Sequence, residues 1–217
     1  MPKVPWRIAP SPRRPILLAA AALAAVAVAA GLYGTARLAG NRDGCGPSRE
    51  TLARLAPLAR GEVAAFEPAK SAGRAPPLGF DDPGGTPRRL SEFEGRTVLL
   101  NLWATWCLPC RQEMPALDRL QAELGGPAFE VVAVNIDTRN TERPRTWLAE
   151  AGVSRLAYYS DREAKIFQDL RRIGQAEGMP TTLLVDRRGC LLGLVSGPAD
   201  WASPDALALI RAALGSP

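Results

Sequence analysis

The chain has 217 residues, 47% of them hydrophobic, and a formal net charge of +5. That length supports one real core with appendages. The positive charge is almost wholly arginine, spread along the chain without the basic, aromatic-interleaved stripe that a nucleic-acid partner requires. There is no histidine and there are only four cysteines, which leaves few ways to build a metal site.

Residues 1–15 form a proline-rich basic segment with Lys3, Arg7, Arg13 and Arg14. Ile16 to Ala36 then runs without a charge. At about 1.5 Å per residue, this run is long enough to cross a bilayer as a single transmembrane helix. The basic residues ahead of it outweigh Arg37 and Arg42 behind it, so the rest of the chain is expected on the outer face of the inner membrane, in the periplasm. A cleaved signal peptide ending at Gly34-Thr35-Ala36 is the competing reading. The length of the apolar run favours the anchor.

Residues 37–75 read as a periplasmic linker with one short helix. Ser48 is expected to cap that helix, with Leu52, Leu55 and Leu58 on one face, and Lys70 to Pro77 to form a loop. Residues 76–217 read as the main domain, opening with a β-hairpin whose tip is Asp81-Asp-Pro-Gly-Gly-Thr-Pro87.

Strands and helices then alternate, as in an α/β domain. Val98, Leu99, Leu100 and Leu102 make a strand buried on both faces. Met114, Leu117, Leu120 and Leu124 then mark one face of a helix. Phe129 to Ile136 is a second buried strand, parallel to the first. Helices over Thr141–Ala151 and Asp161–Arg172 bracket a short strand near Leu156–Tyr159. Thr182–Asp186 and Cys190–Val195 read as antiparallel strands around the turn Asp186-Arg-Arg-Gly189. Ser203-Pro204-Asp205 caps a last helix, with Leu207, Ile210 and Leu214 facing inward.

The chemistry lies where the first buried strand meets its helix, in Trp103-Ala-Thr-Trp-Cys-Leu-Pro-Cys110. Cys107 sits at the first helical turn, where free backbone N–H groups and the helix dipole favour a thiolate. Half of a structural zinc site is the alternative reading. Only Cys45 and Cys190 could complete such a site, and they are not spaced as a ligand pair. A redox dithiol is therefore expected, with exposed Cys107 attacking and Cys110 resolving the mixed disulfide. Trp106 is read as a shield over the pair, against the alternative of an ordinary packed tryptophan.

The run from Trp103 to Leu117 closely resembles the membrane-anchored thioredoxin-like TlpA/ResA proteins of bacteria, nearest to alphaproteobacterial TlpA. Gly61-Glu-Val-Ala-Ala-Phe66, Leu90-Ser-Glu-Phe-Glu-Gly95 and Gly178-Met-Pro-Thr-Thr182 extend the likeness towards the C-terminus. The resemblance implies a thioredoxin-like fold, a mixed central sheet flanked by helices, with an N-terminal hairpin extension and an inserted αβ element. It implies a cis Met179–Pro180 bond facing Cys107 and lending a backbone edge to substrate. It implies an acidic residue, Glu113, that tunes the cysteine pair, and a structural disulfide between Cys45 and Cys190. Asn101 stands where ordinary thioredoxin has a buried aspartate, so proton work falls to Glu113 or water.

The activity so implied is thiol:disulfide oxidoreduction in the reducing direction, without cofactor or metal. Electrons come from a membrane donor. The clients are periplasmic cysteine pairs, such as a Sco-like copper chaperone or the copper subunit of cytochrome oxidase. Reduction of the haem-binding cysteines of apocytochrome c is the alternative. It is disfavoured because those relatives carry Pro-Glu-Thr where this chain has Pro180-Thr181-Thr182. A non-redox metallochaperone would use Cys-x-x-x-Cys with a histidine, and a peroxidase its own Pro-x-x-x-Thr-x-x-Cys motif. The chain has none of these.

Overall fold

A computed structural model describes residues 44–140 and 142–215. The expected transmembrane run 16–36 lies outside the described residues. Among those described, no helix is long and apolar enough to cross a membrane.

The apolar run before the cysteines becomes β4 (Thr97–Trp103), buried at every position. Such a strand needs a partner on both sides. It pairs in parallel with β5 (Phe129–Asn135) and antiparallel with β7 (Thr181–Val185). The parallel pair needs a crossover, supplied by α2 (Leu108–Leu124), following α1 (Ser48–Leu55). Met114, Leu117 and Leu120 of α2 are fully buried. With β1 (Phe66–Arg74), β2 (Gly79–Asp81), β3 (Pro87–Arg89), β6 (Tyr159–Ser160) and β8 (Cys190–Ser196), the eight-stranded order is β1-β8-β7-β4-β5-β6-β2-β3. The expected hairpin is β2–β3, its turn closed by the Asp82 carboxylate accepting from the N–H groups of Gly84 and Thr86. The helices α3 (Arg143–Glu150), α4 (Lys165–Arg172) and α5 (Pro204–Leu214) complete the fold.

Several expectations are corrected. The loop placed at Lys70–Pro77 is largely strand, because β1 runs from Phe66 to Arg74 and pairs with β8. Its exposed, non-alternating pattern hid it, since an edge strand is held mainly by main-chain bonds. Gly193 of β8 permits the close approach, because a Cβ there would stand 2.6 Å from the Glu67 carbonyl oxygen. The segment expected as linker thus contributes a strand to the sheet. Ser48 is not a cap: it lies within α1, fully buried, and donates its hydroxyl to Asp186 Oδ2 at 2.5 Å.

The short strand is Tyr159–Ser160, later than expected, and α4 begins only at Lys165. Residues 161–164 turn instead, with Ala164 left-handed at φ 51°. Asp161 accepts the Ile166 N–H that the helix start leaves free. Thr141, the expected start of α3, lies outside the described residues. Ser203 does cap α5, accepting from Ala206 N. The buried stripe of that helix is Ala206, Leu209, Ile210 and Ala213, which turns Leu207 and Leu214 to its margin.

Cys45 and Cys190 are joined, with Cα atoms 5.7 Å apart and both residues fully buried. The bond ties the segment before α1 to the start of β8. Beside it, Asp186 Oδ1 accepts from the N–H groups of Arg188 and Cys190 while Oδ2 takes the Ser48 hydroxyl. The cross-link spans 145 residues. A chain-entropy account then gives about 5 kcal/mol, and native bonds of this kind typically contribute about 2–5. Replacing both cysteines with alanine is expected to lower Tm by roughly 5–15 °C in a thermal melt. Exchange at Cys107 and Cys110 should be largely spared.

Candidate active site

The site grows from the C-terminal end of β4. The strand ends at Trp103, the chain turns through Ala104–Trp106, and α2 starts at Leu108. Asp137, just past the end of β5, holds this turn. Its Oδ2 accepts from Thr105 N at 2.9 Å and its Oδ1 from Thr105 Oγ1 at 3.0 Å. Asn135 steadies the carboxylate through Nδ2, 2.8 Å from Oδ2. Parallel β4–β5 pairing places Trp103 opposite Asn135, which brings the two strand ends together.

Cys107 is the N-cap residue of α2. It is extended at φ −89°, ψ 102°, and its sulfur accepts from Cys110 N at 3.3 Å. Pro109 occupies the first turn, where a missing N–H costs nothing. The two cysteines form a disulfide with Cα atoms 5.3 Å apart. Cys107 was expected exposed, yet it is only 5% exposed in this oxidised state, against 0% for Cys110. It is the more accessible of the pair, by a narrow margin. Its neighbours Trp106 and Leu108 project into solvent instead, at 65% and 62% exposure. The packed-tryptophan reading of Trp106 is thereby overturned.

Antiparallel pairing sets Leu102 opposite Thr181, so the segment before β7 lies at the same end of the sheet. Met179–Pro180 is cis, with Pro180 buried and Met179 half-buried. The Pro180 carbonyl accepts from Gly197 N at 2.9 Å, which ties it to the segment after β8.

Glu113 lies one turn beyond Cys110 and is buried, 3% exposed. Asn101 Nδ2 donates to its Oε1 at 2.7 Å. Ala199 N and Trp201 Nε1 donate to its Oε2 at 3.2 and 3.3 Å. Burial pushes its carboxyl up to about 7, against the pull of these three donors. Asn101 also donates to Thr182 Oγ1 at 2.9 Å, while its own Oδ1 has no hydrogen-bond partner among the described residues. A carboxyl that titrates near neutrality beside a dithiol can take or return a thiol proton. Asp137, Ala199 and Trp201 are the site residues that sequence reasoning missed. A strand-end position in a parallel pair was a signal for Asp137; no sequence signal marked Trp201. Among the described residues, no cluster of His, Cys, Asp or Glu is placed to hold a metal ion.

A helix-capping cystine and a cis-proline loop at the same end of a mixed sheet of this order form the arrangement of thioredoxin-like thiol–disulfide oxidoreductases. The profile of the Redoxin family matches residues 70–210, and the chain belongs to that family. It is similar to the thioredoxin-like protein YneN of Bacillus subtilis, 35% identical over 121 residues, covering 54% of this chain and 66% of that one. It is also similar to the thiol-disulfide oxidoreductase ResA of Oceanobacillus iheyensis, 36% identical over 109 residues, covering 50% and 54%. The chain thus spans between half and two-thirds of the length of these relatives. Among solved structures it resembles a protein assigned as the thiol:disulfide interchange protein DsbE of Chlorobium tepidum. That likeness has 33% identity and a TM-score of 0.56, covering 65% of this chain and 96% of that one.

Glu113 makes a pH prediction. Its carboxyl titrates at 4.5 when unperturbed and near 7 in the folded protein, so between these values the folded state holds more protons than the unfolded one. Stability is then full below about 4.5 and falls as pH rises to about 7, by about 3 kcal/mol in all. Urea unfolding of the oxidised protein is expected to show this loss between pH 5 and pH 8. Glu113→Gln should flatten it.

Proposed function

We propose that this chain is a membrane-anchored, TlpA-like reductant of disulfides in other proteins on the periplasmic side of the inner membrane. The observation that carries the redox reading is the Cys107–Cys110 pair on the N-terminus of α2, with the buried carboxyl of Glu113 one turn further on. In the reduced protein, the Cys107 thiolate attacks one sulfur of a client disulfide, and the displaced client sulfur leaves as a thiolate and takes a proton from water. Cys110 then gives its proton to Glu113 or water and attacks Cys107 Sγ, expelling the second client sulfur. Two electrons pass to the client, and Cys107–Cys110 closes to the disulfide described above. A dithiol donor returns the pair to the reduced form.

The uncharged run 16–36 supports anchoring, and Pro180-Thr181-Thr182 favours cysteine pairs of copper-delivery proteins over haem-binding cysteines as clients. The half-exposed rim of Met179, Trp106 and Leu108 offers apolar contacts around the cystine without a shaped pocket. Such a rim suits a protein client, recognised mainly through backbone pairing at the strand edge.

Single-cysteine variants test the roles. Cys107→Ser is expected to abolish insulin reduction and trap nothing, whereas Cys110→Ser should accumulate a mixed disulfide that mass spectrometry can identify. If the lone Cys110 alkylates faster than the lone Cys107 near neutral pH, attacker and resolver are reversed. For the anchor, full-length protein should stay with membranes through a carbonate wash, and recovery of a soluble product beginning near Arg37 would overturn it.

A further inference from the structure

The segment joining β8 to α5 is fastened at both ends. Gly197 N donates to the Pro180 carbonyl at 2.9 Å, and Ser203 caps α5 through Ala206 N. Between these points the chain folds on itself, with Trp201 N donating to Ala199 O and Ser203 N to Asp200 O. This makes a short rigid bracket. It delivers two donors to one oxygen of Glu113, the Ala199 N–H and the Trp201 indole N–H. Trp201 is 1% exposed, so its indole N–H has no water to turn to, and Glu113 is its acceptor.

We propose that Trp201 is a positioning residue of the site. Its indole N–H, with the Ala199 N–H, fixes the Glu113 carboxylate in the orientation and charge state in which it accepts the Cys110 proton. This rests on the redox reading above and adds to it the group that sets the proton acceptor. Two effects compete at this carboxyl. Burial alone opposes ionisation of Glu113, and an N–H aimed at a buried carboxylate opposes burial. Of the three donors, Asn101 is shared with Thr182, and the Ala199 N–H belongs to the backbone. Trp201 is therefore the side chain committed to Oε2.

The other groups packed around the carboxyl in the oxidised protein are neutral, and the charges near it lie at the surface. Cys110 of α2 and its N-cap Cys107 are joined in the disulfide and do not titrate in this state, becoming titratable only on reduction. From β4 and β7 the neighbours are the neutral Asn101 and Thr182. From the bracket the one charge is Asp200, exposed and 3.9 Å from Arg119. Among the described residues, no charged side chain is one of the groups acting on Glu113.

The test is made on the full-length oxidised protein with no client present. The side-chain carboxyl of Glu113 is titrated by carbon-13 NMR. Trp201→Phe removes the donor and keeps an aromatic ring in place, and the Glu113 midpoint is expected to rise by roughly one pH unit, about tenfold in proton affinity. Leu209→Ala, an equally buried change in α5, should lower Tm and leave the midpoint alone. Should Trp201→Phe fold poorly, the wild-type protein gives a second reading: the Trp201 indole N–H resonance should titrate with the Glu113 midpoint and stop doing so in Glu113→Gln. An unmoved or lowered midpoint in Trp201→Phe, or an indole resonance constant through the Glu113 titration, overturns the proposal. Neither readout involves exchange, so failure here leaves the redox reading standing. Absence of insulin reduction by the wild-type protein would sink that reading and with it the Cys110 step, while the midpoint measurement would still report whether Trp201 sets the Glu113 charge state.

Discussion

Strand β4 is hydrogen-bonded along its length to β5 on one side and β7 on the other, and the site depends on that double pairing. A strand so enclosed must be apolar on both faces, which Thr97–Trp103 largely satisfies. The one strongly polar side chain within it is Asn101, and the fold accommodates that amide by giving its N–H groups to Glu113 and Thr182. The same register sets Trp103 beside Asn135 and Leu102 beside Thr181. The Thr105 latch and the Met179–Pro180 segment thus converge on the end of β4 where Cys107 caps a helix. A slip of one residue in either pairing would turn Asn101 away from Thr182 and part Thr105 from Asp137.

The electrostatics follow from burial more than from charge. A helix N-terminus favours a thiolate at Cys107, while a buried carboxyl one turn past Cys110 disfavours a second negative charge nearby. Glu113 resolves this conflict by holding its proton to about 7. Near that pH it exchanges between the neutral acid, which adds no charge beside an ionised Cys107, and the carboxylate, which in the proposed cycle accepts the Cys110 proton. The cost is a carboxyl kept from water, offset by three N–H donors drawn from β4 and from the bracket after β8. The Cys45–Cys190 bond serves a different end. It pins the chain before α1 to the sheet's edge region at β8, among Ser48 and Asp186, at the opposite end of the sheet from Cys107.

Much of this was legible in the residues alone. The apolar run 98–102, the switch to helical spacing after Cys110 and the Cys-x-x-Cys at the junction are local patterns, so β4, α2 and the dithiol could be read directly. Turn chemistry at Asp81–Pro87 and the Ser203-Pro204 cap are equally local, and both elements sit where they were expected. What the residues could not disclose is whatever depends on a distant partner. β1 looks like loop because its bonds are main-chain bonds to β8, and Ser48 looks like a cap because Asp186 lies 138 residues away. Glu113 is the sharpest case. Nothing local on its helix marks it as buried, and it is enclosed by Asn101 of β4 and by Ala199 and Trp201 from the segment after β8. Tertiary structure decided its proton affinity because desolvation and donor placement come from segments that share no local pattern with it.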